Sequence, residues 1–329
     1  MNMSLLNDIL TAYGASGHEE NVRKVIAKAL FGHVDALETD AMGNLIAVRR
    51  GDGTGRRVML CAHMDHIGLI AVDADKDGYV RVSNVGGIDP ANLISMHVVF
   101  GNGVEGVVDA EPVEGKLKVC DLFVDIGAAS REEALSRVSI GDVCVMKPRV
   151  SRLGEHRLAS PAMDDRIACY VLTELMLSLP ENIKNDVAAV FTVQEELGVR
   201  GATTAAYAID PDLGIALDVT ATGDTPGVKG HLPMKLGAGA AVKIMDAGMI
   251  ATPWVVQMML DAAQENGIPV QREILPFGGT DAGAIQSTKG GIPSGAISIP
   301  CRYVHSAAET VDVRDVRAAL DLALACVMK

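Results

Sequence analysis

Residues 57–71 read RVMLCAHMDHIGLIA. A run of long aliphatic and small residues stops abruptly at three polar side chains, the pattern of a buried strand reaching its end. Side chains alternate along a strand, so His63 and Asp65 share one face while Met64 and His66 point to the other. An imidazole and a carboxylate converging at the carboxyl end of a strand stand where open α/β sheets keep their sites. The carboxylate can hold the imidazole as a metal ligand by accepting its second ring proton. His-x-Asp alone is short enough to arise by chance, and a hydrogen-bonded pair at a strand end accounts for it equally well.

Toward the N-terminus, residues 3–31 carry apolar positions at helical spacing, interrupted by GASGHEE (14–20). There Ser16, with Glu19 three residues on, reads as the cap of a second helix. ALETDAMGNLIAVRRG (36–51) predicts strand with a Gly-Asn turn ahead of the strand-like stretch at 56–73. Beyond residue 157 the helical segments GATTAAYA (201–208), TPWVVQMMLDAAQENG (252–267) and VRDVRAALDLALACVMK (313–329) alternate with apolar strand-like runs. That alternation predicts a largely parallel sheet flanked by helices, an α/β fold.

From 69 to 157 the pattern changes to short alternating segments divided by Gly, Asp and Pro, such as GYVRVSNVGG, HVVFGNGVEGVVDA, KLKVCDLFVDIGA and GDVCVMKP. This block predicts a small β-barrel-like domain inserted into the larger one, leaving 1–68 and 158–329 as one discontinuous α/β domain. HVVFGNGVEGVV and DLFVDIG hold more apolar strand than such a block covers by itself, which predicts burial against a second copy in a homo-oligomer.

Composition sets the outer bounds. The chain has 329 residues, 49% of them hydrophobic and only 3% aromatic, with 34 glycines, as expected of buried aliphatic strands. A formal charge of −13 repels phosphate backbones and argues against a nucleic-acid partner. No basic stretch precedes an apolar core at the N-terminus, and no apolar run reaches the ~20 residues that span a bilayer; a cytoplasmic protein without membrane attachment is expected. The six cysteines lie singly, with no CxxC pair, which predicts buried free thiols rather than a disulfide framework or a zinc ribbon.

Other polar clusters end apolar runs in the same way. SPAMDDRIACY (160–170) sets Asp164 and Asp165 before an apolar helix, where simple helix-dipole and capping chemistry also explains them. VAAVFTVQEELG (187–198) runs into Glu195 and Glu196; neighbouring side chains cannot point the same way, so one can bind a cation while the other reaches a water beside it. LGIALDVT delivers Asp218, and GAISIPCRYVHSAAETVD delivers His305. His63, Asp164, Glu196, Asp218 and His305 are residue types that bind borderline divalent metals, and two His with three carboxylates suit two zinc-like ions with one carboxylate bridging.

With these motifs in order, GASGHEENVR, DAMGNLIA, CAHMDHIG, LFVDIGAASREEA, SPAMDDR, VQEELGVRGA, LDVT, GGTDA and IPCRYVHSAAE, the chain resembles over nearly its whole length the glutamyl and deblocking aminopeptidases. These are dinuclear zinc peptidases sometimes named endoglucanase M. The resemblance implies a metallopeptidase α/β sheet flanked by helices, of the aminopeptidase/carboxypeptidase kind, with the inserted β-rich domain used in assembling a hollow homo-oligomer, a dodecamer. It implies two divalent ions per chain, zinc with cobalt as the alternative. His63 would bind one ion with Asp65 orienting it, Asp164 would bridge both, Glu195 would be the general base, Glu196 and His305 would bind the second ion, and Asp218 would complete the first. The family usually reads His-x-Asp-Glu, whereas His66 stands at that fourth position here; it is expected to be a bystander at the surface or in the pocket.

The implied reaction is hydrolysis of N-terminal residues from peptides. Glycoside hydrolysis is an alternative, but it calls for aromatic sugar platforms, and one Trp, five Tyr and five Phe supply few. A catalytically inactive binding protein on the same fold would not need every ligand type and the base. The preferred N-terminal residue is left open: Lys229, His231 and Lys235 would favour acidic substrates if they lined the pocket.

Overall fold

A computed structural model describes residues 1–228 and 232–329, and in it the strand Arg57–His63 is buried at every position after Arg57. It pairs in parallel with Asp186–Thr192 on one side and Leu213–Ala221 on the other, and Leu213–Ala221 pairs in parallel with Ser294–Arg302. Burial on both faces is why these strands read as unbroken aliphatic runs instead of alternating ones. Leu60, Ile215, Leu217 and Ile297 pack under helices that include Met163–Ser178, Pro253–Asn266 and Val313–Val327. Met59, Cys61, Ala216 and Ala296 pack on the other side against Arg200–Ile209 and Asp281–Gln286.

The sheet is mixed rather than largely parallel. Among the described residues it has eleven strands, and outside the central parallel group most pairings are antiparallel. Residues 36–51 close as a hairpin of Ala36–Thr39 and Leu45–Arg49, and Ser151–Leu153 does the same with Arg157–Ser160. Short connections of this kind permit only antiparallel pairing.

The stretch 56–73 divides at its polar centre. Arg57–His63 stays in the large sheet, while Gly68–Ala74 opens a closed six-stranded barrel with Val80–Val85, Leu122–Asp125, Glu105–Ala110, His97–Phe100 and Val143–Met146. Closure removes exposed strand edges, and the barrel has its own core of residues such as Val82, Val98, Phe100, Val108, Leu122 and Val124. Two expectations change here. The barrel strands end at Met146, and the strands within 151–160 belong to the large sheet through Glu309–Asp312; the block also contains a helix, Arg131–Arg137. Of the apolar residues in HVVFGNGVEGVV and DLFVDIG, Val98, Phe100, Val108, Leu122, Val124 and Ile126 are buried in the barrel core, while Val99, Val107 and Phe123 are only half-buried.

Ser16 does not cap a helix. The helix Glu20–Leu30 begins at Glu19 without a side-chain cap, and the Ser16 hydroxyl instead donates to Asp65 Oδ2 at 2.6 Å. The loop it sits in is tied down by Arg166, a fully buried guanidinium that donates to the carbonyls of Ile9 (3.0 Å), Ala12 (2.9 Å), Gly14 (2.8 Å) and Met64. A Cβ on Gly14 would come within 2.6 Å of Arg166 Nη2, so only glycine lets the chain pass this close. Among the described residues no helix is long and apolar enough to cross a membrane, and of the six cysteines only Cys120 is exposed.

His66 lies inside the protein, only 2% exposed, not at the surface. Its backbone N–H donates to Gly14 O at 3.3 Å beside a bridge to Ala15, and neither ring nitrogen has a partner among the described residues. Burial, then the neighbouring Arg166 charge, pushes its pKa down to about 3, against about 6.5 in an unfolded chain. As pH falls below 6.5 the unfolded chain takes up the proton first, so native stability is lost progressively between about 6.5 and 3. At pH 5 the loss is on the order of 2 kcal/mol. Denaturant titrations at pH 7 and pH 5 should show the wild type losing about that much more than His66→Met; equal losses would mean that His66 is not held neutral by burial.

Candidate active site

The register of the central strands sets Thr192 opposite His63 and Ala216 opposite Cys61, which brings Asp218 level with His63. Carboxyl ends of parallel strands therefore deliver polar side chains to one place. After Thr192 the chain turns through Gln194 at φ +54° into Glu195 and Glu196, and after Arg302 it turns through Tyr303 (+60°) to His305 (+59°). Left-handed backbone at non-glycine residues costs roughly 1–3 kcal/mol each and persists only where surrounding contacts impose it. Asp164 comes from the start of Met163–Ser178, a helix buried on nearly all sides.

All seven residues singled out in the sequence meet here. His63 Nε2 lies 3.1 Å from Asp164 Oδ1, 3.9 Å from Glu195 Oε2 and 4.0 Å from Asp218 Oδ1. His305 Nε2 lies 3.4 Å from Asp164 Oδ2 and 3.1 Å from Glu196 Oε1. The atoms that could hold a metal ion thus fall into two groups, His63 with Asp164 and Asp218, and Asp164 with Glu196 and His305. Asp164 belongs to both, one oxygen toward each histidine.

Asp65 works differently from expectation. Its backbone carbonyl faces His63 Nδ1 at 2.9 Å, while its carboxylate is 3.6 Å from that nitrogen. The carboxylate oxygens are occupied elsewhere, accepting from Ser16 Oγ and from the backbone N–H groups of Glu195 (3.0 Å) and Glu196 (3.2 Å).

Three further buried carboxylates support the site: Glu309 and Asp281 were not picked out from sequence, and Asp165 was read there only as helix-start chemistry. Glu309 accepts from Asp164 N at 2.9 Å and His305 N at 2.8 Å. Asp281, from the GGTDA stretch, accepts from Thr192 Oγ1 at 2.6 Å. Asp165 accepts from His63 N at 3.2 Å. Glu309 and Asp281 lay in quoted motifs, but nothing local distinguishes a residue that pins a distant backbone amide.

The electrostatics are those of crowded acids. Burial raises the carboxyl pKa of Asp165, Glu195, Asp218 and Glu309 well above the ordinary range, helped by Asp218 at Asp165 and by Asp164 at Glu309. Burial also raises Asp281, to about 6. Burial opposes a charged imidazole at His305, yet Asp164 and Glu196 raise it to about 11, and at His63 the Asp164 and Asp65 carboxylates likewise outweigh burial. The same two histidines hold Asp164 below the usual carboxylate range against its burial. Such a set gains most from added positive charge.

The two groups open onto a cavity of about 610 Å³ walled by Val199, Val219, Ala221, Leu275, Phe277 and Val304. Among the described residues its only charged or ionisable lining side chains are His63, Asp164, Glu195, Glu196, Asp218 and His305. Lys235 is exposed and does not line it; Lys229 and His231 lie outside the described residues. A cleft of similar size, near Tyr13, Arg23, Asp40 and Asp142, contains neither ligand group.

Comparison with known proteins matches residues 43–322 to the family described as M42 glutamyl aminopeptidase. The chain is 38% identical to the lysyl aminopeptidase of Pyrococcus furiosus, covering 99% of this chain and 96% of that one. Among solved structures it is similar to the aminopeptidase APDkam598 of the archaeon Desulfurococcus kamchatkensis (36% identity, TM-score 0.95, 99% and 94% of the two chains). It is also similar to the TET1 peptidase of Pyrococcus horikoshii, described as assembling into a tetrahedron or a large octahedral shell (32% identity, TM-score 0.88, 99% of each chain).

Proposed function

Because the chain belongs to the M42 glutamyl aminopeptidase family and is thereby a hydrolase of the aminopeptidase class, we propose that it cleaves N-terminal residues from peptides with two divalent metal ions. His63, Asp164 and Asp218 would hold one, and Asp164, Glu196 and His305 the other. The observation that carries this reading is the double position of Asp164, with Oδ1 at 3.1 Å from His63 and Oδ2 at 3.4 Å from His305. The donors are imidazole and carboxylate with no thiolate, which suits zinc, with cobalt as the alternative. Buried carboxylates that raise one another's pKa also fit a pair of dications better than they fit isolation. When bound, such ions supply Lewis acidity toward the scissile carbonyl and an attacking water.

The chain's own groups then have distinct tasks. Glu195 Oε2, beside the first group and, among the described residues, in no ion pair closer than the 3.9 Å to His63 Nε2, takes the proton of the water and passes it to the leaving amine. Burial raises its pKa well above the ordinary carboxyl range, with the His63 charge opposing. Asp65 sets the backbone of Glu195 and Glu196 through two N–H bonds, and its carbonyl fixes the His63 ring. Glu309 does the same for the chain at Asp164 and His305. Among the described residues the apolar walls suit an uncharged first side chain.

We further read the chain as a homo-oligomer, a dodecamer, from its likeness to the TET1 structures, one described as a dodecamer and one as assembling into a tetrahedron or a large octahedral shell. One purified sample tests these readings together. Leucyl p-nitroanilide should be turned over faster than the glutamyl and lysyl substrates, with activity abolished by a chelator and restored by zinc or cobalt. Carboxymethyl cellulose should be left intact; its cleavage would favour the glycosidase alternative, and chelator-resistant peptidase activity would refute the metal assignment. Light scattering should give a mass near twelve times the 34.5 kDa chain, whereas an active monomer would refute the assembly.

A further inference from the structure

The loop between the first two helices reaches the catalytic turn from the far end of the sequence. Glu19 is 4% exposed, and its Oε1 accepts from Gly17 N at 2.7 Å and from Gln194 N at 3.1 Å. Gly17, at φ +82° with open space around it, makes the turn that folds the Glu19 side chain back over its own loop. Gln194 is the left-handed residue, φ +54°, immediately before Glu195. The next two N–H groups, those of Glu195 and Glu196, end on Asp65. Three successive amides of the turn are therefore received by two buried carboxylates from separate segments, and Ser16 Oγ ties the Glu19 loop to the Asp65 carboxylate.

We propose that Glu19 is a positioning residue for the reaction: by accepting the Gln194 N–H it holds the left-handed turn that sets the next residue, Glu195, beside His63. This rests on the reading of Glu195 as base. Without the bond, Gln194 relaxes toward ordinary backbone and Glu195 loses its place beside His63. What the turn needs is an acceptor oxygen at that reach, not a negative charge. A glutamine keeps that oxygen, an aspartate keeps the charge but falls short by a methylene, and an alanine has neither.

The experiment measures kcat, KM, metal content and thermal unfolding of the full chain carrying Glu19→Ala, Glu19→Asp or Glu19→Gln, with Glu195→Gln and the double variant Glu19→Ala/Glu195→Gln beside them. Glu19→Ala and Glu19→Asp should lower kcat by about 10–10²-fold with KM near wild type, and Glu19→Gln should stay within about threefold of wild type. In the double variant the Glu19→Ala change should cost little more, because the group it positions is already disabled. If Glu19→Ala does not fold, the Asp and Gln pair decides. Wild-type kcat in Glu19→Asp, equal loss in Glu19→Gln, a change confined to KM, or a full additional loss in the double variant overturns the proposal. Undiminished turnover in Glu195→Gln instead overturns the base assignment, so the two failures are separable.

Discussion

Glu195→Gln is expected to lower kcat by about 10²–10⁴ while metal content stays near two ions per chain. The amide keeps the size of the side chain and its place beside His63 Nε2, 3.9 Å away, but it cannot accept the proton of the water. Glu195 is not in either ligand group, so its charge is not what retains the ions. Glu196 is the contrasting case, with Oε1 at 3.1 Å from His305 Nε2. Glu196→Gln exchanges an anionic oxygen for a neutral one and should lose metal before chemistry is reached, with partial recovery in excess zinc or cobalt. The same addition should do nothing for Glu195→Gln, since mass action on the metal does not replace a proton acceptor. Metal stoichiometry and kcat of both variants, with and without added metal, decide the matter. Metal loss in Glu195→Gln with retention in Glu196→Gln would exchange the two roles.

What could be read from sequence was what strand geometry and local polarity express. Apolar runs broken by His63, Glu195, Asp218 and His305 announce strand ends, and parallel register then does the assembling, which is why those residues meet. The supporting carboxylates were illegible for a physical reason. Glu19 serves an amide 175 positions away and Glu309 one 145 positions away, and neither contact leaves a local pattern. Ser16 shows the converse error: Ser-x-x-Glu spacing is a local capping signal, and the tertiary bond to Asp65 overrode it. The barrel's alternation was legible, but the pairing of Arg157–Ser160 with Glu309–Asp312 joins segments that nothing in their own sequences connects. His66 was misjudged because its burial comes from the loop at Gly14 and Ala15, not from its own strand.

Asp164→Asn should have the widest consequence of any ligand substitution, reducing metal content toward zero and kcat by about 10³ or more. The argument is geometric. Asp164 is the member common to both groups, and its two oxygens face His63 and His305 separately. In the two-metal reading an asparagine would offer one ion a neutral oxygen and the other an N–H₂ donor where an acceptor is needed, so the hold on both would weaken. The missing charge would also return the repulsion between the two dications of that reading, which a bridging anion would screen. Asp218→Asn supplies the control, since Asp218 belongs only to the His63 group; it should lose one ion and keep the other. The Asp164 backbone is held by Glu309 through its N–H, so the helix start should keep its place and circular dichroism should remain native in both variants. Metal analysis after dialysis, followed by zinc titration of activity, reads the outcome. One ion lost in Asp164→Asn would make it a terminal ligand, and two ions retained with native turnover would remove the bridge from the mechanism and with it the two-metal reading.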